Sequence, residues 1–363
     1  MTEASENIES IDSLIGILAG WFNDSAKSPS AVNFNWEYIL NVAQRTKTEG
    51  LIADGLSGGG MSAPPDVLNH LKAVNSDILK SNLGNFAWSL KISNVFEQAG
   101  VTAVIYKGAT RSETVYGGWG KRRSADIDVI VPKHEFKNAM EVIRTEGFLP
   151  MINPKSRWWS EFLGEVPFQH PEASHLHIDL HHELQQPGGP YPRDLEGFFD
   201  ASRIAHHSGK AIRHFSPAHE LLITVISYAK AIKSGEPWLS YAHELIFTHL
   251  NSTTGERASV LELAEKNGLS RLYADAMTNA FALFGMTNTL DGFQTGTPKD
   301  IGHLKLSAAG LIEPARFFRS AKLWSWQDGS FPQRVYGFIK QKVRVYQSEF
   351  EQRRESGLTV GNG

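Results

Sequence analysis

At 363 residues the chain is long enough for one large domain or two to three smaller ones, with a substantial core. Its 36 basic and 39 acidic residues leave a net charge of −3, so no global positive field draws it to nucleic acid or an anionic membrane. That balance weighs against a polynucleotide polymerase, although a local basic groove would be invisible in the sum; the absence of cysteine excludes disulfide scaffolds, thiolate metal sites and cysteine nucleophiles.

The amino terminus is acidic and has no basic start before its short apolar run, so it is a poor signal peptide. No uncharged apolar stretch reaches the roughly 18 residues of a membrane span. A soluble, cytoplasmic protein is expected. Residues 1–98 read as helical, with Ile11, Leu14, Ile15 and Leu18, then Trp36, Ile39, Leu40 and Ala43, at helical spacing. The Gly triplet at 58–60 lacks the lysine and hydroxyl residue of a P-loop and reads as a connector. A long helix is predicted over 67–98, with Gly100 as its C-cap.

The texture then changes. Residues 101–106 are a short β-branched apolar run and predict a buried strand ended by Lys107-Gly108. A helix over 109–116, a strand over 125–131 and a helix over 134–146 follow. Further strands are predicted over 148–152, 166–170 and 175–184, the last from its alternation of His, Leu, Ile and Asp. From Ser216 the chain reads as helical again, with serine as N-cap and Pro217 at the first helical position. The expected helices cover 221–233, 238–250, 258–267 and 269–284, residues 285–300 form a loop, and the last helices run to about Glu355. The expected organisation is a helical region (1–98), an α/β core (99–212), a second helical region (213–355) and a tail (356–363).

Within the strand over 125–131, Asp126 and Asp128 are two positions apart and project to one side, with Cα atoms roughly 6 to 7 Å apart; Ile127 and Val129 turn to the core. Two such carboxylates raise each other's pKa, and a divalent cation relieves the repulsion. Hard oxygen ligands suit Mg²⁺ or Mn²⁺ and phosphate chemistry. The alternative is a strand end carrying two solvated aspartates, although aspartate is disfavoured in strands.

The order of a strand, Lys107-Gly108, a helix, Tyr116, Arg123-x-x-Asp126-Ile127-Asp128, a helix ending at Glu146-Gly147-Phe148, and later Asp179-Leu180-His181 resembles the uncharacterised nucleotidyltransferase family of the DNA-polymerase-β superfamily, over roughly residues 100–250. The resemblance implies an α+β fold, in which a small mixed β-sheet nucleotidyltransferase core is flanked by helical regions on both sides. It implies that Asp126, Asp128 and Asp179 hold one or two Mg²⁺ (or Mn²⁺) ions and carry catalysis, with Asp179 helping to remove the proton of an attacking hydroxyl. Lys107, Gly108, Thr110, Arg123 and His181 fall to nucleotide binding, with Gly108 allowing close backbone approach to the phosphates. Many superfamily members have glycine or serine after that glycine. Here Gly108-Ala109-Thr110 departs from the pattern, leaving Thr110 or Ser112 to supply a hydroxyl. Ser227 and Lys230 stand where a His-x-x-Lys pattern is common.

The expected reaction moves an NMP group from an NTP, ATP among them, to an acceptor hydroxyl with release of pyrophosphate. A small molecule or a peptide or protein is favoured as acceptor over nucleic acid, and no membrane partner is expected. Two alternatives stay open. One is a non-catalytic nucleotide sensor. The other is a zinc-dependent hydrolase using the histidines between His170 and His207, of which His177 and His181 share a strand face with Asp179. Trp158-Trp159, beside Lys155 and Arg157, reads as a loop packed on the sheet, and the aromatic and basic mixture over 316–326 as a helix with apolar and solvated faces.

Overall fold

The computed structural model describes residues 3–22, 35–57, 63–153, 155–207, 209–286 and 323–356. The Gly triplet at 58–60, most of the loop over 285–300 and the residues 316–322 lie outside these segments, as does most of the tail. Five strands form the main sheet: β1 (Val104–Ile105), β2 (Ile127–Ile130), β3 (Leu149–Pro150), β4 (Glu165–His170) and β5 (Ala173–His181), in the order β1-β2-β5-β4-β3. The β2–β5 pair is parallel and the other three are antiparallel, so the sheet is mixed and the fold is α+β with helices on both sides. Strand alternation decides what faces the interior. Ile127, Val129, Ile178, Leu180, Val166 and Phe168 are all buried in one apolar layer with Phe86, Ile92 and Phe96. Phe86, Ile92 and Phe96 belong to the long helix α4 (Pro65–Gln98). Ala139 and Ile143 of α6 (Phe136–Thr145) close the same layer.

The strands differ from the sequence pattern in extent. β1 covers only two residues of the expected 101–106, because Val101 and Ala103 spend their N–H groups on turns, to Phe96 and Val101. β3 is cut to Leu149–Pro150, at the sheet edge, where proline's missing donor is tolerated. β5 ends at His181 because the His182 N–H turns to the Gly164 carbonyl. Asp126 lies just before β2, and its carbonyl takes the Ser124 hydroxyl at 2.8 Å. Three elements carry no clear periodicity and were not expected: the short helix α7 (Glu196–Asp200) and the hairpin β6 (Arg203–His207) and β7 (Lys210–His214). Residues Trp158–Leu163 form a π-helical turn where a loop was expected.

Amino-terminal helices α1 (Glu3–Ala19), α2 (Trp36–Thr46) and α3 (Glu49–Ser57) share a single core with α8 (Pro217–Ser234), α9 (Leu239–Asn251), α10 (Thr254–Asn267) and α11 (Ser270–Leu283). Leu14, Leu18, Ile39 and Ile52 from the first set meet Leu222, Ile226, Leu245 and Ala276 from the second in that core. The helix α5 (Thr110–Tyr116) adds Tyr116 to this core, and α12 (Phe331–Glu355) runs along the outside. Among the described residues no helix is long and apolar enough to cross a membrane.

The helical core buries imidazoles, with a consequence for stability. Burial pushes His243 down to about 3 and His219 down to about 4; burial, and then the charge of His207, brings His214 down to about 3. Each is neutral when folded, while in the unfolded chain it titrates near 6.5. Below that value the unfolded state takes up protons first, so stability is lost as pH falls from about 6.5 toward the folded values. Between pH 6.5 and pH 5, each fully buried imidazole contributes a loss of about 2 kcal/mol. His243 packs among Trp21, Phe22, Tyr116, Phe247 and Phe284, so phenylalanine suits its place. Urea midpoints of the His243→Phe variant should fall less between pH 7 and pH 5 than those of the parent. Equal falls would refute the assignment.

Candidate active site

The parallel register of β2 and β5 sets Asp128 directly opposite Asp179, and Ile130 opposite His181. On the other side of β5, antiparallel pairing sets Glu165 of β4 opposite His181. Alternation then puts Asp128, Asp179, His181 and Glu165 on the face opposite the apolar layer. One ligand atom each from Asp128, Asp179 and His181 lies within 4.8 Å of the others, the sole such cluster among the described residues. His181 Nε2 is 3.3 Å from Asp128 Oδ1, and its Nδ1 is 3.6 Å from Glu165 Oε2. The Nε2 atom is buried and has no aligned hydrogen bond. A buried imidazole nitrogen left open between carboxylates fits a cation-binding donor set.

Asp126 lines the same cavity, outside the tight trio. The cavity holds about 180 Å³ and draws cations from four segments: Lys47, Lys107, Arg122 with Arg123, and Lys230. Its charges are strongly interdependent. The Asp128 charge, then burial, then Asp179, push the Asp126 carboxyl up to about 6, against Lys47 and Lys107. Burial alone would raise Asp128, but Lys107, His181 and Lys230 outweigh it and hold that carboxyl well below the usual range. Burial raises Asp179, with Asp128 and Glu165 adding to the rise while His181 and Lys230 oppose it. Crowded carboxylates with raised pKa values are the state a divalent cation would relieve.

The chain leading into Asp126 is fixed from below by α4. Asn82, fully buried, donates to the carbonyls of Trp119 at 2.6 Å and Arg122 at 2.8 Å, and accepts from Ser124 N at 3.1 Å. Asn85 donates to the Ser124 carbonyl at 3.2 Å. Ser112 works from the opposite side: its hydroxyl donates to the Gly118 carbonyl at 2.6 Å and accepts from the Lys121 and Arg122 amides at 3.1 and 3.0 Å. Gly108 has φ of +80°, a backbone that L side chains rarely adopt, so the turn after Lys107 needs glycine. Arg122 donates to its carbonyl at 3.4 Å.

Of the residues singled out in the sequence, Lys107, Gly108, Arg123, Asp126, Asp128, Asp179 and His181 line one cavity. Thr110 is turned away: it is buried, and its hydroxyl approaches the Lys107 carbonyl at 3.4 Å. Ser112 is likewise committed to the loop, so neither hydroxyl faces the cavity, whereas Ser124, Ser227 and Ser240 line it. Arg123 lies 3.8 Å from Glu49. Of the seven histidines between His170 and His207, only His181 joins the carboxylates. His170 packs on Trp88 and Phe148, His182 meets the Ser160 carbonyl at 2.6 Å, and His207 pairs with Glu113 at 2.7 Å and His214 at 2.9 Å.

Sequence reasoning missed Glu165, Lys47 and Tyr241. Glu165 stands one residue before the predicted strand, and the same alternation extended back by one would have placed it beside His181. Lys47 is the C-cap of α2 and, at φ 58°, the single non-glycine residue with positive φ among those described. This left-handed turn brings it from the amino-terminal helices to the cavity. The neighbouring α3 comes so close to the loop that a Cβ on Gly50 would lie 2.4 Å from the Lys121 carbonyl oxygen.

The site is thus a mixed sheet presenting Asp128 and Asp179 on adjacent parallel strands, beside the Lys107-Gly108 turn. The model of the uncharacterised nucleotidyltransferase family matches residues 33–285, and the chain belongs to that family; nucleotidyl transfer is accordingly its general role. A comparison with curated proteins finds no match.

Proposed function

We propose that the cavity binds the triphosphate of an NTP on a divalent cation, Mg²⁺ or Mn²⁺, and transfers the NMP group to an acceptor hydroxyl. The convergence of Asp128, Asp179 and His181 carries this reading. Asp128 and Asp179 would hold the ion, with Asp126 as a further oxygen donor and His181 orienting the two carboxylates. When bound, the ion supplies charge neutralisation to the phosphates. Lys107 and Lys230 flank the carboxylates and take phosphate charge; Lys230 lies 3.8 Å from Glu165, loosely enough to be shared with a ligand. Asp179, its affinity for protons raised by burial, accepts the proton of the acceptor hydroxyl. The new bond joins the acceptor oxygen to the α-phosphorus, and the bond to pyrophosphate breaks.

The cavity is smaller than the roughly 300 Å³ at the lower end of small-molecule sites. It suits ions and phosphates, so the nucleoside extends past these residues, with Tyr241 at the margin. A small molecule or a peptide or protein remains the favoured acceptor, given the net charge of −3.

The test is incubation of the purified protein with each labelled NTP, Mg²⁺ or Mn²⁺, and a cell extract as acceptor source. Pyrophosphate release with a labelled product is expected. No product from any NTP would sink the transferase reading, and stoichiometric zinc in the purified protein would favour a hydrolase instead.

A further inference from the structure

A second cavity, of about 1080 Å³, lies between α6, the π-helical turn and α12, and shares no lining residue with the acidic one. Its occupancy is independent of the chemistry proposed for the acidic site. Six cationic side chains line it, Lys133, Lys137, Lys155, Arg157, Lys340 and Arg344, against two acidic ones, Glu161 and Glu183. Both acids are already engaged, by Arg157 at 2.8 Å and Arg344 at 3.3 Å. Lys133, Lys137, Lys155 and Lys340 have no carboxylate within 4.0 Å among the described residues. On a chain of net charge −3, this groove is a local basic surface.

Its apolar part is equally organised. One face of α12 is docked on the body: Ser348 accepts from Trp158 Nε1 at 3.1 Å, Glu355 from the Arg157 amide at 2.8 Å, and Gln341 from the Gly188 amide at 3.1 Å. A different face carries Tyr336, Ile339, Val343, Tyr346 and Phe350, between 49% and 70% exposed. Their spacing of three, four, three and four is the a/d pattern of a helix seeking a second helix. Tyr336, Ile339 and Val343 from this stripe meet Phe136, Met140 and Phe162 in the groove.

We infer that this groove is a docking surface for an acidic amphipathic helix of a partner protein. Its apolar stripe takes the partner's a/d residues, and the lysines that line the groove take flanking carboxylates. Charge argues against a second copy of this chain, since two such grooves would set Lys133, Lys137 and Lys340 against like charges.

The experiment uses the full chain and a labelled synthetic helix with leucine at a and d positions and glutamate beside them. A scrambled peptide of the same composition is the control. In fluorescence anisotropy the helix should bind at least about tenfold more tightly than its scrambled control. Ile339→Asp with Val343→Asp, and separately Lys133→Glu with Lys137→Glu, should each weaken binding by about tenfold, while Lys72→Glu on exposed α4 should not. All of the substituted positions are exposed, and circular dichroism checks the fold. Equal binding of both peptides would overturn the proposal. So would binding to phosphatidylglycerol vesicles, or self-association in sedimentation, that is lost with the same substitutions while the helix fails to bind.

Discussion

Asp128→Asn is expected to reduce NTP-dependent pyrophosphate release by about 10³-fold while leaving the protein folded. Asp128 faces Asp179 across the parallel strands and is the carboxylate of the site held most firmly anionic, by Lys107, His181 and Lys230 against burial. Asparagine keeps its shape and removes its charge. Because Asp128 is the largest cause of the raised Asp126 pKa, the substitution also relieves repulsion within the cavity, which offsets part of the pairing lost with Lys107, His181 and Lys230. Activity within a few-fold of the parent would show that Asp128 holds no catalytic ion. Loss of both activity and folding would instead show that the residue serves the fold, and the matching Asp179→Asn variant tests the pair from the other strand.

Glu244→Gln should destabilise the protein by about 3–5 kcal/mol, measured by urea unfolding at pH 7. Glu244 is buried in α9, accepts from Arg111 Nη2 at 2.5 Å and Nε at 3.1 Å and from Thr224 at 2.9 Å, and pairs with Arg122, whose Nε lies 3.1 Å away. Neutralising it takes the carboxylate charge from Arg122 and leaves Arg111 balanced by the Glu220 carboxylate, at 2.5 Å. Burial works against the Glu244 charge, but Arg111 and Arg122 overcome it and hold the carboxyl down to about 2. Burial instead raises Glu220, and Arg111 does not fully offset that rise. Glu220→Gln should therefore be the milder change, and equal losses from the two variants would contradict this ranking. Arg122 also donates to the Gly108 carbonyl, so Glu244→Gln should loosen the Lys107-Gly108 turn and weaken nucleotide binding as well.

Much of this site was legible because its parts are local. Asp128 sits within an apolar strand and Asp126 just before it, where aspartate is disfavoured, and Lys107-Gly108 closes a β-branched run. Asp179 could be placed only by resemblance, since nothing in the sequence shows that β5 pairs in parallel with β2, 51 residues earlier at the Asp128–Asp179 register. Register between distant strands is a tertiary property. The same limit hid Lys47 and Tyr241, which reach the cavity from two helices far apart in the chain, α2 and α9. Thr110 lies outside the cavity lining for a different reason. A hydroxyl just after a glycine turn is equally placed to face a phosphate or its own backbone, and here it takes the backbone. The helices were readable from their 3.6-residue periodicity, whereas the β6–β7 hairpin, polar along much of its length, left no pattern to read.

The left-handed turn at Lys47 bears on where this protein can be cut. Sequence texture suggests excising the α/β core near residue 99 as a minimal unit for crystallisation or assay. Such a fragment would discard Lys47 from the cavity wall and Glu49 from Arg123, together with the helix whose Gly50 abuts the Lys121 carbonyl. It would also remove Asn82 and Asn85, which hold the approach to Asp126. The smallest piece able to assemble the pocket therefore begins at α2, and the amino-terminal helices are a wall of the site.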